Sequence, residues 1–159
     1  MVMAHKLGVA FVLAALTTVV AGGCGGQAAL SRQQLISQAD VICKRVELER
    51  ATAVGRLTVV STSNAKELKE VGRLAPGLSQ EQQRGVARLR ALKAPASLEH
   101  DWQELLTGMQ QLAAETAKVG VAARAGNGKG VEAITASGAP IRSGLERIAQ
   151  QVGFKYCGR

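Results

Sequence analysis

Three cysteines (Cys24, Cys43 and Cys157) and two histidines (His5 and His100) carry the most reactive side chains of this chain. A metal-dependent helical bundle would need Glu-x-x-His pairs on facing helices. Beyond the leader His100 is the one histidine, and position 97, three residues before it, is Ser97. His100 therefore reads as a solvated residue in the first turn of a helix, and no metal site is expected. A nucleophile, base and orienting acid cannot be assembled around one such histidine. Asp40, Glu47, Glu49 and Glu104 offer carboxylates, but carboxylates on helices normally face water. The expectation is a non-enzyme with no catalytic residue and no cofactor.

Cys24 has a different context. Met1–Lys6 is short and carries one positive side chain, Lys6, and Leu7–Val20 is an uncharged apolar run. That run is shorter than the ~20 residues a membrane-spanning helix needs, so residues 1–23 read as a cleavable leader. Ala21-Gly22-Gly23-Cys24 resembles the lipobox of bacterial lipoproteins, with Ala21 where that motif usually has Leu. The resemblance implies cleavage before Cys24 and its modification by a diacylglyceryl group; ordinary secretory cleavage or an uncleaved anchor are the alternatives. If Cys24 is a thioether, Cys43 and Cys157 remain as a pair. Outside the cytoplasm such a pair can form and keep a disulfide; two unrelated buried thiols is the competing reading.

The elements that must position these residues are helices. After a short tether at residues 24–30, Ser31 and Gln34 have the spacing of a capping box, and Leu30 and Leu35 that of a hydrophobic staple. Apolar positions then recur by threes and fours through Leu35, Ala39, Ile42, Val46, Ala53, Leu57 and Val60, ending at Ser61–Asn64. A second stripe runs through Leu68, Val71, Ala75, Leu78, Gln82, Gly85, Leu89 and Leu92. Its phase holds across Pro76, which favours one helix kinked near 72–76 over a restart at Ser79. Ser97 is placed to cap a third stripe through Leu98, Trp102, Leu105, Met109, Leu112, Val119 and Ala123, which Gly126-Asn127-Gly128 stops. The fourth runs Val131, Ile134, Gly138, Ile141, Leu145, Ile148 and Val152, with Pro140 inside it.

Four stripes of similar length with short connections predict an all-α, up-down-up-down antiparallel four-helix bundle over residues 31–159. That topology brings the start of the first helix beside the end of the fourth, which is where Cys43 and Cys157 lie. Their bond would close a loop of about 115 residues, on the order of 4–5 kcal/mol in the chain-entropy model. The helical glycines Gly55, Gly72, Gly85, Gly108, Gly120, Gly138 and Gly144 each cost roughly 1 kcal/mol relative to Ala, although glycine also permits close helix contact. Glu49 interrupts the first stripe. It is expected either at the bundle edge with its head in water, or in a polar layer with Gln82.

The chain has 159 residues, a formal charge of +8 and only 3% aromatic residues. The second helix and its exit carry Lys66, Lys69, Arg73, Arg84, Arg88, Arg90 and Lys93 against Glu67, Glu70 and Glu81. Arg84, Arg88, Arg90 and Lys93 are the candidate patch for an anionic partner, the alternative being an ordinary solvated face. Nucleic acid is an unsuitable partner for an exported chain so poor in stacking residues.

Three phrases, Gln38–Cys43 (QADVIC), Arg90–Pro95 (RALKAP) ahead of Trp102, and Gly153–Gly158 (GFKYCG), resemble a group of uncharacterised helical lipoproteins from high-GC Gram-positive bacteria. That resemblance implies the bundle, the staple and an envelope location, and it transfers no chemistry. The resulting expectation is a lipid-anchored module on the outer face of the membrane, binding an envelope protein or an anionic envelope component. A small-molecule carrier or sensor opening at the proline kinks is the alternative; oligomeric state is left open.

Overall fold

The computed structural model describes residues 28–55 and 63–158. The leader, Cys24 and the stripe positions Leu57 and Val60 lie outside those residues. The described chain is helical: α1 (Arg32–Gly55), α2 (Ala65–Arg90), α3 (Glu99–Arg124), α4 (Gly128–Ser137) and α5 (Ala139–Val152). With α4 and α5 as one interrupted rod, these make the antiparallel four-helix bundle, each rod packing on the next. Among the described residues there is no strand, and no helix is long and apolar enough to cross a membrane.

Local signals start and stop the helices largely where expected. The Ser31 Oγ accepts from Gln34 N at 3.3 Å while Gln34 Oε1 accepts from Ser31 N at 2.9 Å, the reciprocal capping box. Asn64 caps α2, its Oδ1 accepting from Lys66 N at 2.9 Å, and Asn127 caps α4 through Gly130 N at 2.9 Å. Ser97 departs from expectation. It lies within a turn of 3-10 helix, Ala96–Leu98, and Leu98 occupies the cap position of α3 with no side-chain hydrogen bond. Burial of Leu98 in the core holds that turn, so packing replaces the cap.

The two prolines behave differently. α2 runs through Pro76 without a break. Proline has no N–H for the carbonyl four residues back; that carbonyl, Gly72 O, instead accepts from Arg124 Nη1 at 3.0 Å across the α2/α3 interface. Ser79 does not restart a helix: it is buried, and its Oγ donates to Ala113 O at 2.8 Å. At Pro140 the fourth rod divides. Gly138 keeps right-handed helical angles between α4 and α5, and Thr135 O accepts from Arg142 Nη2 at 2.8 Å. Near each proline a carbonyl is thus satisfied by an arginine.

Glycines sit at the crossings. A Cβ on Gly72 would meet Arg124, on Gly85 Val46, on Gly108 Leu145, on Gly120 Ala75 and on Gly138 the Glu115 carboxylate, each at 3.0 Å or less. The main core gathers Leu35, Ala39, Leu89, Trp102, Leu105, Leu145, Ile148 and Phe154 around the disulfide, with Trp102 and Phe154 tilted at 6.0 Å between ring centroids. A smaller cluster of Leu68, Ala123 and Val131 closes the other end.

Candidate functional site

Cys43 and Cys157 are bonded, with Cα atoms 5.1 Å apart across 114 residues of sequence. Both are buried, at 3% and 0% exposure, which marks the bond as a structural staple. The two cysteine-containing phrases dock on each other. Asp40, one turn before Cys43, accepts from Lys155 N with both carboxylate oxygens at 3.0 Å and from Tyr156 N at 2.9 Å. Arg32, at the start of α1, donates to Gln151 O and Val152 O at the end of α5. Gly153 stops α5 with a φ of 92°, a conformation glycine adopts without penalty, and so turns the tail toward α1. Sequence reasoning saw the cysteines; the roles of Arg32 and Asp40 were not legible, because each depends on a neighbour well over 100 residues away.

The basic patch is rearranged. Arg84 and Arg88 are exposed one turn apart on the outer face of α2, and the 7- and 11-residue spacings add exposed Lys66 and Arg73 to the same face. Arg90 points elsewhere: its guanidinium donates to Gln110 on α3. Lys93 lies beyond the helix, where its backbone carbonyl accepts from Leu30 N at 2.9 Å. The four residues therefore do not form one surface; Arg84 and Arg88 do, in line with Lys66 and Arg73. Arg84 pairs with Glu81 and Arg73 with Glu70, each one turn away. Hydrogen bonding to Glu70 raises the Arg73 pKa, so that guanidinium stays charged at any biological pH. Such exposed pairs contribute little to stability and leave both guanidinium groups at the surface. Among the described residues, no hydrogen bond or ion pair engages the Arg88 side chain.

A second surface was missed because it lies off the apolar stripe. Val41 and Leu48, spaced by seven on the outer face of α1, are 70% and 59% exposed. Exposed Ser37, Lys44, Arg45 and Thr52 share that face. The apolar repeat at i, i+7 was the available signal.

Glu49 is exposed, as the bundle-edge reading expected, while Gln82 Oε1 is buried with no hydrogen-bond partner among the described residues. His100 is also exposed, 3.9 Å from Glu104. Among the described residues, no three His, Cys, Asp or Glu side chains gather as a metal site would require. A depression of about 490 Å³ between α3 and α5 has Gly108, Pro140, Ile141 and Leu145 among its walls and His100, Glu104 and Arg147 on its rim. A larger depression, of about 1670 Å³, lies between the first turns of α2, the end of α3 and the start of α4, with Leu68, Gly72, Arg124 and Lys129 among its walls. At Pro76 itself Gly120 packs against Ala75 and the proline ring. No family model, no curated protein and no solved structure matches the chain.

Proposed function

We propose that this chain is an exported, lipid-anchored, non-enzymatic module that binds an anionic component of the cell envelope through the outer face of α2. The observation that carries the reading is the alignment of Lys66, Arg73, Arg84 and Arg88 on one solvent-facing side of a helix whose opposite side is fixed in the bundle. Cationic side chains held in a row attract anionic partners and speed their encounter. The lipobox-like Ala21–Cys24, the even cysteine count left once Cys24 is set aside, and the resemblance to helical lipoproteins support the anchor and the compartment.

Two experiments test it. Metabolic labelling with a palmitate analogue is expected to mark the wild-type chain and leave Cys24→Ala unmarked; equal labelling of both removes the anchor. Capture of envelope material is expected to weaken with salt, since exposed charges are screened within about 10 Å at 0.1 M, and to weaken with Arg84→Glu and Arg88→Glu together. Capture indifferent to salt and to both reversals removes the α2 surface from the proposal. The carrier reading draws its support from the α3/α5 depression, whose size suits a small ligand. Binding of an apolar fluorescent probe by the wild-type chain, lost in Gly144→Trp, which would fill the depression, would count for that reading.

A further inference from the structure

We infer that the outer face of α1 is the surface on which the domain rests against anionic lipid, with Val41 and Leu48 entering the headgroup boundary and Lys44 and Arg45 pairing with lipid phosphates. The exposed large apolar side chains of the described domain are Val41, Leu48 and Val121, and the first two stand two turns apart on one helix face. Lys44 and Arg45 lie between them, both exposed, with the Lys44 ammonium 5.4 Å from the centre of the Tyr156 ring at the edge of the strip. No carboxylate interrupts this strip. Asp40, at its margin, is turned to the backbone of Lys155 and Tyr156. Glu47 is held by Arg50 at 2.7 Å, and Glu49 is exposed one turn after Arg45, at the other edge of the strip. Apolar residues flanked by basic ones, with the acids kept to the edges, suit a helix lying in a membrane interface.

Chain length points to the same occupant, and here the inference rests on the anchored reading above. Arg32 lies eight positions beyond Cys24, a reach of at most about 29 Å at ~3.6 Å per residue. Of the four rods, α1 is the one that leaves the tether directly. Lying on this face, the domain would keep the α2 row directed sideways, clear of the membrane. The lipid surface and the anionic partner then have separate faces.

The test uses the lipidated full chain with an environment-sensitive fluorophore on one introduced thiol: Val41→Cys, Leu48→Cys or, on the diagonally opposite helix, Ala114→Cys. The native disulfide is buried, so the introduced thiol is the one that reacts. Reconstitution is into vesicles of phosphatidylcholine alone or mixed equally with phosphatidylglycerol. Blue-shifted emission and quenching by brominated lipid are expected at positions 41 and 48 in the anionic vesicles, and neither at 114. Unshifted emission at 41 and 48, or an equal shift at 114, overturns the orientation. A shift without vesicles that grows with protein concentration also overturns it, because it reports a second copy on this face.

The unlipidated Cys24→Ala chain separates this inference from the anchor. It is expected to sediment with the anionic vesicles, and Lys44→Glu with Arg45→Glu to weaken that partition at least thirtyfold, at about 1 kcal/mol for each basic group lost before any repulsion from the added carboxylates. Leu48→Ser, at a position that packs on nothing in the core, should weaken it too. Partition unchanged by all three substitutions overturns the lipid-facing α1 whether or not Cys24 is acylated. Reversal-sensitive partition together with absent acyl labelling upholds the face and removes the anchor alone.

Discussion

Asp40 makes three hydrogen bonds to the backbone of a tail that a covalent bond already holds nearby. Its carboxylate takes up donors that the chain beyond Gly153 cannot satisfy by continuing the helix. Hydrogen bonds to a charged acceptor are worth more than neutral ones, so Asp40→Ala is expected to cost about 2 kcal/mol, read as a lower denaturant midpoint at unchanged slope. Asp40→Asn, which keeps one acceptor, should cost less. Arg124 supports a second test by coupling. Its bond to Gly72 O exists because Pro76 has no N–H to give. Arg124→Met is expected to cost about 1 kcal/mol in the native background. In Pro76→Ala, where residue 76 can supply the N–H itself, it should cost clearly less. Equal costs in a double-mutant cycle would show that the arginine does not serve the proline.

At the scale of elements, α2 contains two glycines five residues apart with opposite roles. Gly72 faces α3, where an added Cβ would come within 2.7 Å of Arg124 Cγ and 3.0 Å of its backbone N. Gly77 faces solvent with nothing within 4 Å. Gly72→Ala should therefore destabilise the bundle by about 1–3 kcal/mol through overpacking. Gly77→Ala should stabilise it by about 1 kcal/mol, because alanine restricts the unfolded chain and favours the helix. Thermal melts of the two variants check the opposite signs; shifts in the same direction would mean that the helix crossing at residue 72 is looser than described. The α4/α5 division belongs to this scale as well. Pro140 alone does not divide the rod, since Pro76 leaves α2 continuous. Gly138, between α4 and α5, packs beneath Glu115 and Arg142, where a side chain would not fit.

For the whole molecule, the disulfide joins the first rod to the tail of the last and closes the seam between them. Crosslinking across 114 residues restricts the unfolded ensemble by on the order of 4–5 kcal/mol in the chain-entropy model. Cys43→Ser with Cys157→Ser should lower the melting temperature by roughly 10 °C or more. An unchanged melt would mean that Arg32, Asp40 and the aliphatic core hold the seam unaided. The distribution of the core gives the disulfide its importance: most large buried side chains cluster at the stapled end, while Leu68, Ala123 and Val131 form a much smaller cluster at the other. Loss of the staple would thus open the end that carries most of the core.

Helix periodicity, proline position and cysteine spacing are properties of short stretches or of simple counting, so the bundle, its staple and the candidate basic residues could be read directly from the chain. Arg32 on the end of α5, Asp40 on the tail, Arg124 on the carbonyl freed by Pro76 and Ser79 on Ala113 are pairings across 34 to 120 residues. No local pattern encodes them, because a polar side chain finds such a partner only after the rods have packed. The same holds for the surfaces. Composition supplied the positive charge, but helix rotation within the bundle turned Arg90 toward Gln110, kept Arg84 and Arg88 in water, and left Val41 and Leu48 facing outward.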